Sequence, residues 1–237
     1  MNTHFIVFEG LDSCGKTTQI DLLIKYLKSK KKKVLHLKMP DKESEYSVLT
    51  NDLIHNKLDN DESKHEKNTL LLMSLSARIH EYFAKINPAF NKYDYIIVDR
   101  YIYSSLVYQS RLYEQFELNL NEGNNKKKVD KIGISNINKH LLNYLNSLSL
   151  KMPTVFYLNL SYQIRKERIE EKLENSAETI TKSQADFDIF SLKHDASLKL
   201  AYEYFFKIYK PNNLFILNCD DKTSSEINKI ILNKLSF

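Results

Sequence analysis

Short, unbroken apolar runs alternate along this chain with longer stretches whose apolar side chains recur every three or four residues. The runs predict buried strands at residues 5–8, 34–39, 95–98, 154–159 and 214–217. The periodic stretches predict amphipathic helices, as in the stripe of Ile20, Leu23, Ile24 and Leu27. Because strands that alternate with helices form parallel sheets covered on both faces, the pattern predicts an α/β fold, a three-layer α/β/α sandwich around a five-stranded parallel sheet.

The longest predicted helix covers about residues 68–87 and ends at Pro88. Its first half is apolar on most sides, so we expect the core to cover one side and a second copy of the chain to cover another. This helix therefore predicts a homodimer. Other helices are predicted at about 48–54, from Ser104 onward, at 136–149, at 161–175, up to Tyr209, and after the capping box Thr223-x-x-Glu226.

Two polar stretches interrupt these elements. Residues 121–135 are rich in Asn, Gly and Lys and predict an exposed insertion, and residues 176–187 predict a loop. Since no linker or internal repeat divides the sequence, we expect one domain over residues 1–237.

Composition narrows the class of protein. Hydrophobic residues make up 42% of the 237 residues and charged residues 27%, and no apolar run is long enough for a membrane span, so we expect a globular protein without a membrane partner. The first strand follows Met1 so closely that no targeting segment is expected. Two cysteines, Cys14 and Cys219, favour a reducing cytoplasm over a structural disulfide. The net charge of +5 suits anionic substrates but is too small to predict a nucleic-acid partner, and we expect the lysine runs at 30–33 and 126–128 to lie in solvated loops.

The segment from residue 10 to residue 17, called the phosphate loop below, matches the motif G-x-x-x-x-G-K-[ST] between a predicted strand and a predicted helix. Its two glycines allow backbone N–H groups to approach phosphate oxygens, and the helix N-terminus adds partial positive charge. Lys16 is expected to reach the β- and γ-phosphates of ATP, and the Thr17 hydroxyl to ligate Mg²⁺. The motif and the next residue assign phosphate binding to Gly10, Leu11, Asp12, Ser13, Cys14, Gly15, Lys16, Thr17 and Thr18.

Asp99 and Arg100 follow the third predicted strand directly. They are therefore expected at the same sheet edge as the phosphate loop, because parallel strands end together there. A carboxylate at this edge can hold Mg²⁺, and an arginine can bridge phosphates. Asp99 is thus a second candidate metal ligand beside Thr17.

Two segments resemble the thymidylate kinase family. Residues 98–109, VDRYIYSSLVYQ, resemble its signature D-R-[YFH]-x-x-S-x-x-A-[YF]-Q, and residues 8–19 resemble its opening segment. The resemblance covers nearly all of the chain and is weakest from residue 160 onward. It implies a P-loop kinase fold with a lid at about 165–187, and transfer of the γ-phosphoryl group of ATP to dTMP with Mg²⁺.

The resemblance also implies roles for individual residues. Asp12 would meet the 3′-hydroxyl of dTMP, Arg100 would bridge the donor and acceptor phosphates, and Lys42 would contact the acceptor phosphate as a point charge. The residues expected to bind substrate are Asp12, Lys42, Ser74, Arg78, Arg100, Tyr101, Tyr108 and Gln109. The residues expected to act in catalysis are Lys16, Asp99, Arg100 and two arginines, Arg165 and Arg168, which fall with Lys172 where some members place lid arginines.

One position departs from the family pattern. The family has an aromatic ring four residues before the base-contacting arginine, where it stacks on thymine, and this chain has Ser74 there. A serine cannot stack, so we expect either an empty stacking site or a ring supplied from elsewhere, such as Tyr101 or Tyr108.

Three other functions stay open at this point. A deoxynucleoside kinase would need a general base after the second strand, where Asp41 lies. A GTP-binding switch is suggested by Asn91-Lys92-Tyr93-Asp94, which matches N-K-x-D, although this motif should follow a strand and here precedes one. Outside the phosphate loop, D-x-x-G occurs only at 130–133. The serine at position 74 also allows a kinase of broadened monophosphate specificity or a regulatory relative.

Overall fold

A parallel sheet is the frame of the molecule in this computed structural model, which describes residues 3–41, 44–46, 48–50, 64–110, 112–121, 136–175 and 181–236. The strands β1 (His4–Glu9), β2 (Val34–Lys38), β3 (Tyr95–Asp99), β4 (Thr154–Asn159) and β5 (Asn213–Asn218) lie in the order β2-β3-β1-β4-β5. All neighbouring pairs are parallel. The predicted α/β fold with a five-stranded parallel sheet is confirmed.

Helices cover both faces of the sheet. They are α1 (Lys16–Ser29), α2 (Lys64–Glu81), α3 (Ile102–Tyr108), α4 (Leu112–Asn121), α5 (Asn136–Ser147), α6 (Tyr162–Asn175), α7 (Lys182–Lys193), α8 (Asp195–Ile208) and α9 (Ser224–Lys234). One core cluster joins the sheet to α1 and α9, and a larger cluster joins its other face to α2, α3, α4, α5 and α8. Within the described ranges, no helix is long and apolar enough to cross a membrane.

The buried strands match their prediction because both of their faces pack against helices. Ile6, Val7 and Phe8 of β1 are at most 1% exposed, and so are the central residues of β3. Such strands read as continuous apolar runs. The edge strands β2 and β5 are only partly buried, but their predicted bounds were also correct to within one or two residues.

The long helix extends beyond the predicted bounds at both ends. It begins at Lys64, and after Glu81 it continues as a π turn (Tyr82–Ile86) and a 3-10 turn (Asn87–Ala89). Pro88 lies within the first residues of that last turn, where a missing N–H removes no helical hydrogen bond. Pro88 therefore does not end the helical segment, which continues to Ala89.

The prediction of a loop over residues 176–187 was wrong for its second half. Residues 182–187 belong to α7, which Thr181 caps by accepting a hydrogen bond from the Gln184 amide at 3.3 Å. The prediction of a single helix up to Tyr209 was also wrong, because α7 and α8 are separated at His194. The capping box at Thr223 and Glu226 is present and begins α9.

Several predicted features lie outside the described residues. They are residues 51–54 of the predicted short helix, residues 122–135 of the insertion with its D-x-x-G segment, residues 176–180 of the lid, and Lys42. Residues 48–50 are helical.

Candidate active site

The phosphate loop turns sharply between β1 and α1. Gly10 and Gly15 have φ values of +143° and +95°, and a Cβ on Gly10 would lie 2.7 Å from the Leu158 carbonyl oxygen. Only glycine fits that position. Lys16 is buried, and its Nζ donates to the carbonyl oxygens of Gly10 at 3.0 Å and Leu11 at 2.9 Å. Thr17 and Thr18 are exposed in the first turn of α1.

Asp12 of the phosphate loop forms an ion pair with Arg100. Arg100 Nη2 lies 2.5 Å from Asp12 Oδ1, and the Tyr108 hydroxyl donates to Asp12 Oδ2 at 3.2 Å. Burial alone would raise the pKa of Asp12, but the charges of Arg100 and Lys16 outweigh it and lower that pKa. Burial also opposes the charge of Arg100, yet Asp12 raises the Arg100 pKa well above its ordinary value. Both groups are therefore charged at neutral pH.

Glu9, at the end of β1, lies fully buried beneath this ion pair. It accepts hydrogen bonds from the Tyr101 amide at 2.7 Å, the Ser104 hydroxyl at 2.7 Å and the Tyr202 hydroxyl at 3.0 Å. Burial raises the pKa of Glu9, although the charge of Arg100 and the hydrogen bonds from Ser104 and the Tyr101 amide act in the opposite direction. The sequence analysis assigned no role to Glu9. The feature that could have indicated one is a charged residue at the end of an otherwise apolar strand.

Asp99 ends β3 opposite Phe8 of β1 and is 4% exposed. Its Oδ1 is buried and has no hydrogen-bond partner among the described residues. An orphaned carboxylate oxygen is costly unless a cation or a donor satisfies it. Together with the exposed Thr17 hydroxyl at the same edge, this oxygen fits the hard-oxygen ligands that Mg²⁺ prefers.

Four polar side chains from α2 and the α3 segment meet in what we call the α2–α3 polar cluster: Ser74, Arg78, Ser105 and Gln109. Arg78 Nε donates to Ser105 Oγ at 2.6 Å, the two serine hydroxyls lie 2.6 Å apart, and Ser74 donates to Gln109 Oε1 at 3.4 Å. Arg78 is 4% exposed, and its Nη1 is buried without a partner in the described part of the chain. Burial lowers the pKa of Arg78, while Glu9 and Glu81 counteract that effect. Ser105 was not expected at the site; a pair of serines on an apolar helix was the available signal.

The two tyrosines named in the sequence analysis lie in different surroundings. Tyr101 is fully buried among Phe5, Tyr82 and Tyr103, so its ring belongs to the core. Tyr108 lies at the site, with its ring 5.6 Å from the Arg100 guanidinium and 5.3 Å from the Phe187 ring. Tyr101 is thus not positioned to replace the missing stacking ring.

The lid arginines, three residues apart on α6, occupy opposite environments. Arg165 is fully buried and donates from Nε to the Asp12 carbonyl oxygen at 2.9 Å, with Asp195 and Ser191 as its other partners. Arg168 is exposed, and its Nη1 lies 3.4 Å from the Ser13 carbonyl oxygen. Lys172 pairs with the buried Asp188 of α7 at 2.6 Å. Of these three cationic residues, Arg168 is therefore the one that lies beside the phosphate loop and is exposed to solvent.

The region after β2 contains a cleft of about 340 Å³ lined by His36, Lys38, Asp41, Glu81 and Lys85. The Asp41 carboxylate pairs with Lys85, and the Asp41 amide donates to Glu81 Oε1 at 2.8 Å. A carboxylate that is paired with a lysine is a weaker general base, so this environment does not favour Asp41 as the base of a nucleoside kinase.

The N-K-x-D segment lies at the other end of the sheet. Asp94 directly precedes β3, where its Oδ2 accepts from the Lys33 amide at 2.7 Å and its carbonyl accepts from the His4 amide at 2.9 Å. These contacts tie together the amino ends of three strands, and the phosphate loop lies at the carboxyl ends. The segment cannot contact a nucleotide bound at the phosphate loop.

Comparisons with known proteins agree with this geometry. The family model for thymidylate kinase matches residues 8–128. A thymidylate kinase from Thermosipho africanus is 30% identical over 171 residues, which are 71% of this chain and 72% of that protein, and one from Plasmodium falciparum is 29% identical over 79% of this chain and 77% of that protein.

Solved structures show the same fold. A thymidylate kinase of broad substrate specificity from Candida albicans superposes with a TM-score of 0.65 at 21% identity, over 99% of this chain and 92% of that one. The thymidylate kinase of Ehrlichia chaffeensis gives a TM-score of 0.62 at 18% identity, over 99% and 100% of the two chains. With the family model matching more than half of its residues, this chain belongs to the thymidylate kinase family of ATP-dependent kinases.

Proposed function

We propose that this protein transfers the γ-phosphoryl group of ATP to the 5′-phosphate of dTMP and releases ADP and dTDP. The observation that carries the proposal is the Asp12–Arg100 ion pair, which joins the phosphate loop to the neighbourhood of the α2–α3 polar cluster. A donor phosphate on the loop and an acceptor phosphate near Arg100 would then be held side by side. In the reaction an acceptor oxygen forms a bond to the γ-phosphorus as the bond to the β–γ bridging oxygen breaks.

On the donor side, Lys16 would exchange its two carbonyl partners for oxygens of the β- and γ-phosphates. The loop N–H groups and the start of α1 would add further donors. Arg168 would approach the transferring group from α6. Phosphoryl transfer needs little covalent help from a protein, so these groups act through position and charge.

Thr17 and Asp99 are the residues that would hold Mg²⁺, and the orphaned Asp99 Oδ1 supports this assignment. The metal, when bound, would neutralise charge on the phosphate oxygens. The register of β3 places the Asp99 backbone opposite Phe8, at the carboxyl edge of the sheet.

On the acceptor side, the α2–α3 polar cluster would read the base edge through Arg78, Ser105 and Gln109. The buried Nη1 of Arg78 supports this role, because a bound base carbonyl would supply its missing acceptor. Arg100 would contact the acceptor phosphate, and Tyr108 would pack beside the sugar. Contacts of Asp12 with the 3′-hydroxyl and of Lys42 with the acceptor phosphate stay predictions, and we leave Tyr101 out of the substrate-binding set because its ring lies in the core.

The cytoplasm and the absence of a nucleic-acid partner also stay predictions. The two cysteines are free and buried, as expected of a protein in a reducing compartment. A coupled assay of ADP release across nucleoside monophosphates and nucleosides tests the function as a whole. Activity with dTMP and none with thymidine is expected, and the reverse result would favour a nucleoside kinase.

The first prediction concerns the donor site. Lys16→Ala and Asp99→Asn should each lower kcat by at least about 10²-fold, because each removes a charge that acts on the transferring phosphoryl group. Stopped assays of ADP formation at saturating ATP and dTMP measure this, with circular dichroism as the check on folding. Near-wild-type turnover in either folded variant would contradict the assignment.

The second prediction concerns Arg168. Arg168→Gln should lower kcat by roughly 10²–10⁴-fold with little change in KM, because a cation that stabilises the transition state contributes little to ground-state binding. Lys166→Gln is the matched control, since it removes a positive charge from the same helix away from the loop. Equal effects of the two substitutions would argue for general electrostatics in place of a specific role for Arg168.

The third prediction concerns the missing ring. Ser74→Phe should lower KM for dTMP and dUMP by about tenfold, since stacking of a base on an aromatic ring is worth about 1–3 kcal/mol. KM for dGMP should not fall, because the new ring takes up space that a larger base needs. Ser74→Ala is the control, as it removes the hydroxyl without adding a ring. If folded Ser74→Phe loses activity with every monophosphate, the space is already filled and the idea of an empty stacking site is wrong.

The fourth prediction concerns assembly. Leu72 and Phe83 are 50% and 46% exposed, and with Ile79 they follow one another at seven and four residues, which places them on one face of the α2 segment. We propose that this apolar face forms a homodimer. Sedimentation equilibrium should show a dimer that the double substitution Leu72→Glu with Phe83→Glu converts to a monomer. A monomeric wild-type protein would contradict this interface.

A further inference from the structure

A fully buried guanidinium lies directly beneath the phosphate loop. Arg165 Nε donates to the carbonyl oxygen of Asp12 at 2.9 Å, its Nη2 donates to Ser191 Oγ at 2.6 Å, and its Nη1 pairs with Asp195. Asp195 also pairs with Lys199 at 2.9 Å. One side chain from α6 therefore connects the phosphate loop to the corner between α7 and α8.

The carbonyl that Arg165 holds belongs to the same peptide unit as the N–H of Ser13. In a planar trans peptide the C=O and N–H bonds point in opposite directions. Because Arg165 draws the Asp12 oxygen inward, the Ser13 N–H must point outward, on the other side of the loop. Within the part of the chain that the structure describes, the Ser13 N–H donates to no protein acceptor. It is therefore available to donate to a bound ligand.

The backbone conformation of Ser13 makes the orientation of the Asp12–Ser13 peptide depend on the hydrogen bond from Arg165. Ser13 has a φ of +61°, in the left-handed region that residues with a side chain rarely occupy. Rotation of the Asp12–Ser13 peptide would relieve that conformation and turn the N–H away from the phosphates. A fixed hydrogen bond to the Asp12 oxygen opposes such a rotation.

We propose that Arg165 is a positioning residue, which locks the Asp12–Ser13 peptide so that the Ser13 N–H faces the phosphates of bound ATP. The proposal rests on the proposed kinase function, and it gives Arg165 a role different from that of a mobile lid arginine. Arg165 has no exposed surface with which to reach substrate. Arginine is required because the three nitrogens of its planar guanidinium donate to three separate acceptors, Asp12, Asp195 and Ser191. A lysine ammonium at the end of a flexible chain does not reproduce this geometry.

The decisive experiment replaces the buried pair as a unit. In Arg165→Met with Asp195→Leu, no carboxylate or guanidinium is left buried alone, and such apolar replacements of buried ion pairs commonly preserve the fold. We expect kcat with ATP and dTMP to fall by about 10–100-fold because a donor to the phosphates is misplaced. KM for dTMP should change less than about threefold, since neither replaced side chain contacts Arg100 or the α2–α3 polar cluster.

Two further variants separate positioning from stability. Arg165→Lys keeps the charge beside Asp195 but cannot also hold the Asp12 oxygen, so its kcat should fall with little change in thermal midpoint. This variant decides the question if the double variant fails to fold. Lys199→Met is the matched control, because it removes the other partner of Asp195 and leaves the loop contact intact, so its kcat should equal that of the wild type.

A readout independent of activity completes the test. Amide hydrogen exchange of the segment that contains Ser13, measured on the nucleotide-free protein, should be faster in Arg165→Lys and in the double variant than in the wild type and Lys199→Met. If the wild type phosphorylates no monophosphate, the proposed function fails, and the exchange rates still test the role of Arg165. Folded variants with unchanged exchange, or with kcat within about twofold of the wild type, would overturn the proposal.

Discussion

The ion pair between Asp12 and Arg100 is the contact on which the carboxyl edge of the sheet depends. It joins the turn after β1 to the turn after β3, and it forms because those strands are neighbours with Phe8 opposite Asp99. Arg100 has a φ of +65°, a conformation that costs about 1–3 kcal/mol in a residue with a side chain. The ion pair and the hydrogen bond from the Arg100 amide to the Phe8 carbonyl, at 2.9 Å, hold it there. The strained residue lies where two phosphates are proposed to meet.

Burial of charge at this edge sets limits on how its residues can be studied. Asp195 and Arg165 form a buried ion pair, and Glu9 is buried beside Arg100, in surroundings where an unpaired ion costs several kcal/mol. Removing one member leaves its partner uncompensated, so a simple truncation would affect folding and activity together. Three of the proposed variants avoid that ambiguity. Asp99→Asn keeps the size of the side chain, Arg168→Gln changes an exposed residue, and the double replacement of Arg165 and Asp195 removes both members of a buried pair.

The sequence predicted the sheet well because its central strands are buried on both faces and therefore read as apolar runs. It predicted α7 poorly because a polar segment with few buried positions resembles a loop, and only the tertiary contacts of Phe187 and Asp188 distinguish the two. The phosphate loop was readable from its fixed glycines and lysine. The roles of Glu9 and Ser105 were not readable, because a local pattern can mark an unusual residue but not its distant partner. The partner of Glu9 lies 95 residues away on α3, and that of Ser105 lies 27 residues away on α2.

The burial of Arg165 could have been inferred from the sequence, although we did not predict it. It lies four residues before Ile169, on the same face of α6, and Ile169 is 1% exposed. An arginine that shares a face with a core isoleucine is directed inward, whereas Arg168, three residues along, lies beside the loop surface. Helical periodicity alone could have separated the two arginines, but the partners that make burial of Arg165 tolerable belong to α7 and α8 and appear only in the folded chain.

The α2–α3 polar cluster shows why a serine at position 74 is compatible with a selective site. Each hydroxyl in the cluster can accept from one neighbour and donate to the next, so the donors run from Arg78 through Ser105 and Ser74 to the Gln109 oxygen. A stacking ring strengthens binding of every base for which the site has room, because each base offers a π-face. Discrimination comes from the edge, where a base that leaves the buried Arg78 Nη1 unsatisfied incurs the desolvation penalty of that group. Without the ring, the site therefore binds pyrimidine nucleotides more weakly but still discriminates by the base edge, as long as the polar chain that orients Arg78 is intact.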